Sequence, residues 1–178
     1  MDSQISDFPQ IDNTCFIHPS AVIAGRVTIG KNVLVGPGAV LRADEPESSI
    51  IIEDNCDIQD NVVIHALENT SVWIGESTSL AHGCVVHGPC KISRDCFVGF
   101  NSVVFKSEIE EKSLIKHLAV VENVNIFSRK KVESGQVINC QEDARQLGYI
   151  SKKDQEFMKR VVELNLNLAK SYKGKSRR

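Results

Sequence analysis

An aliphatic residue recurs at every sixth position through most of this chain, a period that neither a helix nor an isolated strand possesses. The series runs Ile17, Ile23, Ile29, Val35 and Leu41, resumes at Ile52, Ile58 and Ile64, and resumes again at Ile74, Leu80, Val86, Ile92, Val98 and Val104. With one residue dropped it continues through Ile109, Ile115 and Val121. A hexad repeat is the signature of a parallel β-helix, in which short strands and turns stack coil upon coil. Gly, Asn, Asp and Pro stand between the strands (IGKN, VGPG, IEDN, HGP), as turns require. The position four after each aliphatic is small or modest: Val27, Val33, Ala39, Cys56, Val62, Thr78, Cys84, Cys90, Cys96, Ser102, Ser113 and Ala119. It reads as a second inward position that fills the corner of a narrow prism, which makes Cys56, Cys84, Cys90 and Cys96 small buried apolar groups.

The repeat divides the chain into an N-terminal arm (1–16), a β-helix (17–138), a connecting segment (139–150) and a C-terminal helix (151–172). Beyond Val121 the segment ENVNIFSRKKVESGQVINCQED reads as a final irregular coil and a crossing. Ser151 and Asp154 form a capping box. Phe157, Val161, Leu164 and Leu168, widened by Met158 and Val162, give the helix one apolar stripe to lay on the prism or on a neighbouring subunit. The tail KGKSRR reads as frayed. A net charge of -2 argues against a nucleic-acid partner. The opening MDSQISDFPQIDNT lacks the basic start and apolar run of a secretory signal, and no segment has the length of a membrane span. The expectation is a cytoplasmic protein whose cysteines are free thiols.

Three of the five histidines, His65, His82 and His87, fall in the stretch IQDNVVIHALENTSVWIGESTSLAHGCVVHGP. Imidazole is a common ligand for zinc and its neighbours, and this stretch reads as a metal site. With three hexads per coil, Leu41, Ile64 and Val86 share one file, so Arg42, His65 and His87 project outward from successive coils, ~4.8 Å apart. His82 belongs to another file, above Gln59 and Asp60, and points from another edge of the prism. Three prisms packed about a threefold axis would bring the His82 edge of one to the His65/His87 edge of the next, with Gln59 and Asp60 arriving opposite Arg42 and Asp44. Three histidines leave a coordination position open for water, as in catalytic zinc sites, where the water's pKa falls to about 7. Unligated carboxylates would carry protons, and Glu45 and Glu68 stand at the roots of the two interruptions, whose insertions are expected as surface loops. Glu68 reads equally as a solvated loop acid, and Arg42 with Asp60 reads first as a cross-subunit ion pair. His18 and His117 lack partners in the pattern, and His117 reads as structural.

RADE (42–45), IQDNVVIHALE (58–68), VWIG, SLAHGCVVHGP (79–89) and CFVGFNSVVFKS (96–107) closely resemble the gamma-class carbonic anhydrases and the related N-terminal domain of the carboxysome scaffold protein. The resemblance covers most of the chain, including the helix. It implies a left-handed β-helix, a homotrimer, and a zinc, iron or cobalt ion at each subunit interface, bound by His65 and His87 of one subunit and His82 of the next. It further implies that Gln59 hydrogen-bonds the metal's water with Asp44 orienting it, that Arg42 pairs with Asp60, that Glu45 stands near the water, that Glu68 shuttles protons and that Asn165 lies near substrate. The implied activity is reversible hydration of CO2 to bicarbonate. Against the family pattern, the loop after Glu68 is short, Asp57 replaces the Asn of NIQD-type members, and Glu163 stands where an archaeal member has Tyr. Two alternatives remain: a weakly active or inactive scaffold that keeps the site as trimer glue, and a hexapeptide acyltransferase using one histidine as a base beside an acyl-carrier groove.

Overall fold

A computed structural model describes residues 8–175 of the chain. Three parallel sheets of seven strands each wrap one prism, a parallel β-helix of the left-handed type. Strands of the first face include Val27–Ile29, Ser49–Ile52 and Ser71–Ile74; of the second, Leu34–Val35, Asp57–Ile58 and Ser79–Leu80; of the third, Val40–Ala43, Val63–His65 and Val85–His87. Each coil visits the three faces in that order, so every residue is paired with its counterpart one coil away.

The inward aliphatics form the core that their spacing predicts. Leu41, Ile58, Ile64, Ile74, Leu80 and Val86 are all fully buried, and so are the corner positions Val33, Ala39, Cys56, Val62, Thr78 and Cys84. A buried corner polar atom favours a partner, and Cys56, Cys96 and Thr78 each find one. The Cys56 thiol donates to Gly75 O at 3.2 Å, the Cys96 thiol to Glu110 O at 3.2 Å, and the Thr78 hydroxyl to Ser93 O at 2.9 Å. Burial pushes the Cys96 thiol up to about 12 and that of Cys84 higher still, so these groups are inert packing. Many corners are turned by a residue in the left-handed region, which Asn and Asp tolerate best; Asn32, Asn55, Asn61, Asp95 and Asn101 all have φ between 52° and 60°.

The solenoid extends further at both ends than the hexad series suggests. Gln10–Ile11, inside the expected arm, already pairs in parallel with Thr28–Ile29. At the other end the segment expected to be irregular is a regular coil, Asn125–Ile126, Lys131–Val132 and Val137–Ile138, with Ile126, Val132 and Ile138 buried. Its turns are disguised because Arg129, rather than Asn or Gly, supplies the left-handed residue at φ 63°. Helix α1 (Gln141–Gln146) closes this end, where the buried Lys130 ammonium donates to the carbonyls of Leu147 and Arg145.

Helix α2 (Lys152–Lys175) starts at the expected capping box: the Asp154 carboxylate accepts the Ser151 N–H at 2.8 Å, and the Ser151 hydroxyl accepts the Asp154 N–H at 3.1 Å. It continues through Lys173–Lys175, which the sequence reading assigns to a frayed tail; residues 176–178 lie outside the described part. The helix descends the second face, with Phe157 edge-on to Phe97 at 5.3 Å near its start and Tyr172 beside Phe16 at 5.0 Å near its end. Of the expected stripe, Met158 and Val162 are buried and Val161 is half-buried against the core, whereas Phe157, Leu164 and Leu168 are exposed; the seam continues instead through the half-buried Asn165 and the buried Ala169. Leu164 is 58% exposed. The seam rotates because the middle of the second face presents Asp57 and Ser79, whose buried polar atoms need a partner that an apolar stripe cannot supply. Among the described residues, no helix is long and apolar enough to cross a membrane.

Gly25, at the edge where the third face turns to the first, has φ 77°, and a Cβ there would stand 1.8 Å from Ala43 O. Its bare backbone is what lets the Asp44–Ser48 turn pack down on the coil below. Gly25→Ala is therefore expected to destabilise the fold by at least ~2 kcal/mol, lowering Tm in calorimetry by about 4–8 °C.

Candidate metal and carboxylate site

The third face sets His65 directly opposite His87, with Arg42 one coil below and Phe105 one coil above. Both imidazoles project outward from a strand whose neighbours Ile64 and Val86 point in, the alternation that any strand imposes. Their ring centroids are 4.9 Å apart and His65 Nδ1 lies 3.1 Å from His87 Nε2. The far side of His65 meets a carboxylate: Nε2 is 3.2 Å from Glu45 Oε1, without the alignment of a hydrogen bond. His87 Nδ1 is buried with no hydrogen-bond partner.

The two interruptions clasp one another beside this pair. Glu45 Oε2 accepts the Glu68 N–H at 2.7 Å, and Pro46 O accepts the Asn69 N–H at 2.9 Å. One carboxylate thus touches a histidine and anchors the backbone of the second acid, whose own side chain is exposed. Arg42 and Asp44 pair with each other on the same edge, Nε to Oδ2 at 3.1 Å, and the Arg42 guanidinium holds the Asp44 carboxyl below its usual range.

The remaining expected site residues gather on a different edge, where the second face turns to the third. His82 Nδ1 lies 3.7 Å from Asp60 Oδ2. Gln59, one coil below, is buried, and its Nε2–H donates to Asp57 Oδ2 at 2.7 Å. Asn165 reaches down from α2 and donates its Nδ2–H to the same oxygen at 2.6 Å, and the Ser79 hydroxyl donates to it at 3.0 Å. Asp57 is fully buried, and its Oδ1 has no partner. Desolvation outweighs the three donors and pushes its carboxyl up to about 6. An ionised carboxylate only accepts, so Asp57 turns the amide nitrogens of Gln59 and Asn165 toward itself and their carbonyl oxygens away.

One chain therefore holds two part-sites: His65, His87, Glu45, Glu68, Arg42 and Asp44 on one edge, and His82, Asp60, Gln59 and Asn165 on another. Among the described residues, no three potential metal ligands meet within a single chain. Within the chain Arg42 pairs with Asp44, not with Asp60. Asp57 and Ser79 escaped the sequence reading as site residues. Their signal, two adjacent polar residues between the apolar Leu34 and Phe97 of one outward file, becomes readable only once Asn165 is known to lie over them.

The donor set fits a metal. Two ligand atoms each about 2.0–2.1 Å from a tetrahedral zinc stand about 3.3 Å apart, close to what His65 and His87 show. Glu45 stands on the side of His65 from which a carboxylate can orient a liganding ring, though its 3.2 Å contact with Nε2 is not aligned as a hydrogen bond.

Fold and edge chemistry together define a hexapeptide-repeat β-helix protein with a histidine pair on its surface. Residues 8–43 match the family described as bacterial transferase hexapeptide (six repeats), and residues 26–66 match the hexapeptide repeat of succinyl-transferase. The chain is 36% identical over 173 residues to the carboxysome assembly protein CcmM of Nostoc sp., covering 92% of this chain but 31% of that protein. It is 34% identical over 187 residues to the carbonic anhydrase of Methanosarcina thermophila, covering 93% of this chain and 75% of that enzyme. A solved hexapeptide transferase family protein from Anaplasma phagocytophilum superposes with a TM-score of 0.68 at 28% identity, over 92% of each chain. The chain belongs to the gamma-class carbonic anhydrase family.

Because the folded-state pKa of Asp57 is raised from 3.8 to about 6, the native state binds this proton more tightly than the unfolded chain does. The stability contributed by Asp57 is then present in acid and lost as pH rises from about 4 through about 6. Asp57→Asn removes that loss, so urea midpoints measured from pH 4 to 8 should show the variant gaining on the natural chain across this window and keeping a constant offset from it above about pH 6.

Proposed function

We propose that this chain is a metal-dependent carbonic anhydrase whose site is completed between copies in a homotrimer. The observation that carries the reading is the 3.1 Å approach of His65 Nδ1 to His87 Nε2 on one edge, with His82 on another. Zinc is the ion in best accord with an all-imidazole set, and iron or cobalt would suit the same donors. When bound, the ion supplies a Lewis acid that makes hydroxide available at neutral pH by lowering the pKa of water from 15.7 to about 7.

The protein's own groups divide the remaining work between two subunits. From one side come His65, His87 and the paired acids. From the other come His82 and the two amides, whose outward carbonyl oxygens accept the hydrogen of a hydroxide or of product bicarbonate. Gln59 would orient the attacking oxygen, with Asp44 assisting from across the interface, and Asn165 would border the carbon dioxide. Each hydration releases one proton. Glu45 is held in place by the Glu68 N–H, and Glu68, exposed at the loop tip, would pass that proton to buffer. Arg42 would exchange Asp44 for Asp60 at the contact. Buried thiols, with no disulfide among the described residues, fit the reducing cytoplasm, where we place the protein.

A scaffolding role is the second reading, favoured by the match of nearly the whole chain to CcmM. An acyltransferase role rests on the shared fold and would require coenzyme A binding without a metal. Stopped-flow CO2 hydration by anaerobically purified protein, with metal determined on the same sample, separates the three. Activity should rise in proportion to bound metal and fall to the buffer rate in His82→Ala. Full metal loading without hydration would contradict the enzyme and favour the scaffold.

A further inference from the structure

His82 is an awkward ligand. Its side chain is 54% exposed on a turn, and the nearest ionic group, Asp60, is 3.7 Å from Nδ1. An imidazole so placed samples several rotamers, and fixing it at the moment of binding weakens affinity. The coils above supply a remedy.

Phe100 stacks on the His82 ring with centroids 5.5 Å apart and planes 23° from parallel. His117 stacks on the other face of Phe100 at 4.4 Å and 11°. The three rings come from successive coils, and the turns that carry them are tied by Asn101 N–H to His82 O at 3.1 Å and Leu118 N–H to Phe100 O at 2.9 Å. His117 is itself locked. Its Nδ1 accepts the Phe100 N–H at 3.0 Å, which fixes the Nε2–H tautomer, and Phe97 meets it edge-on at 6.4 Å. Burial keeps this imidazole below its usual pKa, in accord with the acceptor role of Nδ1. One face of His82 is thus covered and Nδ1 is turned toward Asp60. Among the described residues, no hydrogen bond or ion pair engages Nε2.

We propose that Phe100, backed by His117, is a positioning residue that holds the His82 imidazole with Nε2 ready for a metal on the neighbouring subunit. The proposal rests on the reading of His82 as a ligand shared with the His65/His87 pair of another copy. His117 then has a purpose that its place outside the histidine pattern conceals: it is the backstop of the stack.

The test is zinc affinity of the full chain, by chelator competition, together with the visible absorption of the cobalt-loaded protein. Phe100→Leu keeps apolar bulk and removes the stacking face. It should weaken zinc about tenfold and shift the cobalt band while oligomeric state and Tm stay unchanged, and Phe100→Tyr should restore both. Zinc affinity in Phe100→Leu equal to that of the natural chain, with His82→Ala still losing the metal, overturns the proposal and leaves the shared site standing. His82→Ala binding zinc as well as the natural chain, or a natural chain that binds none, overturns the shared site itself. Should Phe100→Leu assemble poorly, His117→Asn decides. It keeps an acceptor for the Phe100 N–H without a ring, so an affinity about threefold weaker supports the stack and an unchanged one refutes it.

Discussion

Everything in this protein depends on the in-register parallel ladder, which sets each side chain directly over its counterpart one coil away. Inward, the ladder stacks Leu41 on Ile64 on Val86 and closes the prism with no room for variation. Outward, it stacks Arg42, His65 and His87 with the same regularity. Two imidazoles that would drift apart on a loop are held at ligand spacing by the backbone itself. The cost of gathering them is offset by burial of the aliphatic core.

The same ladder keeps the third histidine away. A triangular prism presents its edges in different directions, and the turn carrying His82 lies on an edge that the His65 strand does not share. Nor is the separation confined to ligands. The acids and the arginine stay with the histidine pair, while the buried Asp57 with its ring of donors from Gln59, Ser79 and Asn165 stays with His82. Each edge is internally organised, and each lacks what the other has. Such a division is what a heterologous, cyclic assembly can exploit, because repetition of one chain brings unlike edges together.

Much of this could be read from the sequence, because the hexad period fixes both register and facing. The file of Arg42, His65 and His87 follows from counting, as does the inward phase of Cys84. The last coil is harder to read because one residue is dropped between Val121 and Ile126 and Arg129 stands at a turn position that Asn32, Asn55, Ser77, Asp95 and Lys112 fill in earlier coils, while the aliphatic spacing of Ile126, Val132 and Ile138 persists. The helix face departs from the expected stripe for a related reason. Apolar residues mark a buried stripe only when the surface beneath is apolar, and here Asp57 draws Asn165 into the seam and turns Leu164 and Leu168 outward. The stack of His82, Phe100 and His117 spans three coils and depends on ring orientation, which residue spacing does not carry.

The central claim is that one metal takes ligands from two chains, and a mixing experiment measures it directly. His82→Ala and His87→Ala chains are refolded together in equal amounts with zinc, and the zinc retained after gel filtration is counted beside each variant alone. A shared site predicts none in either variant and about one quarter of the natural content in the mixture, the chance that a cyclic interface joins an intact histidine pair to an intact His82. Retention by either variant alone, or none in mixed oligomers, would contradict it.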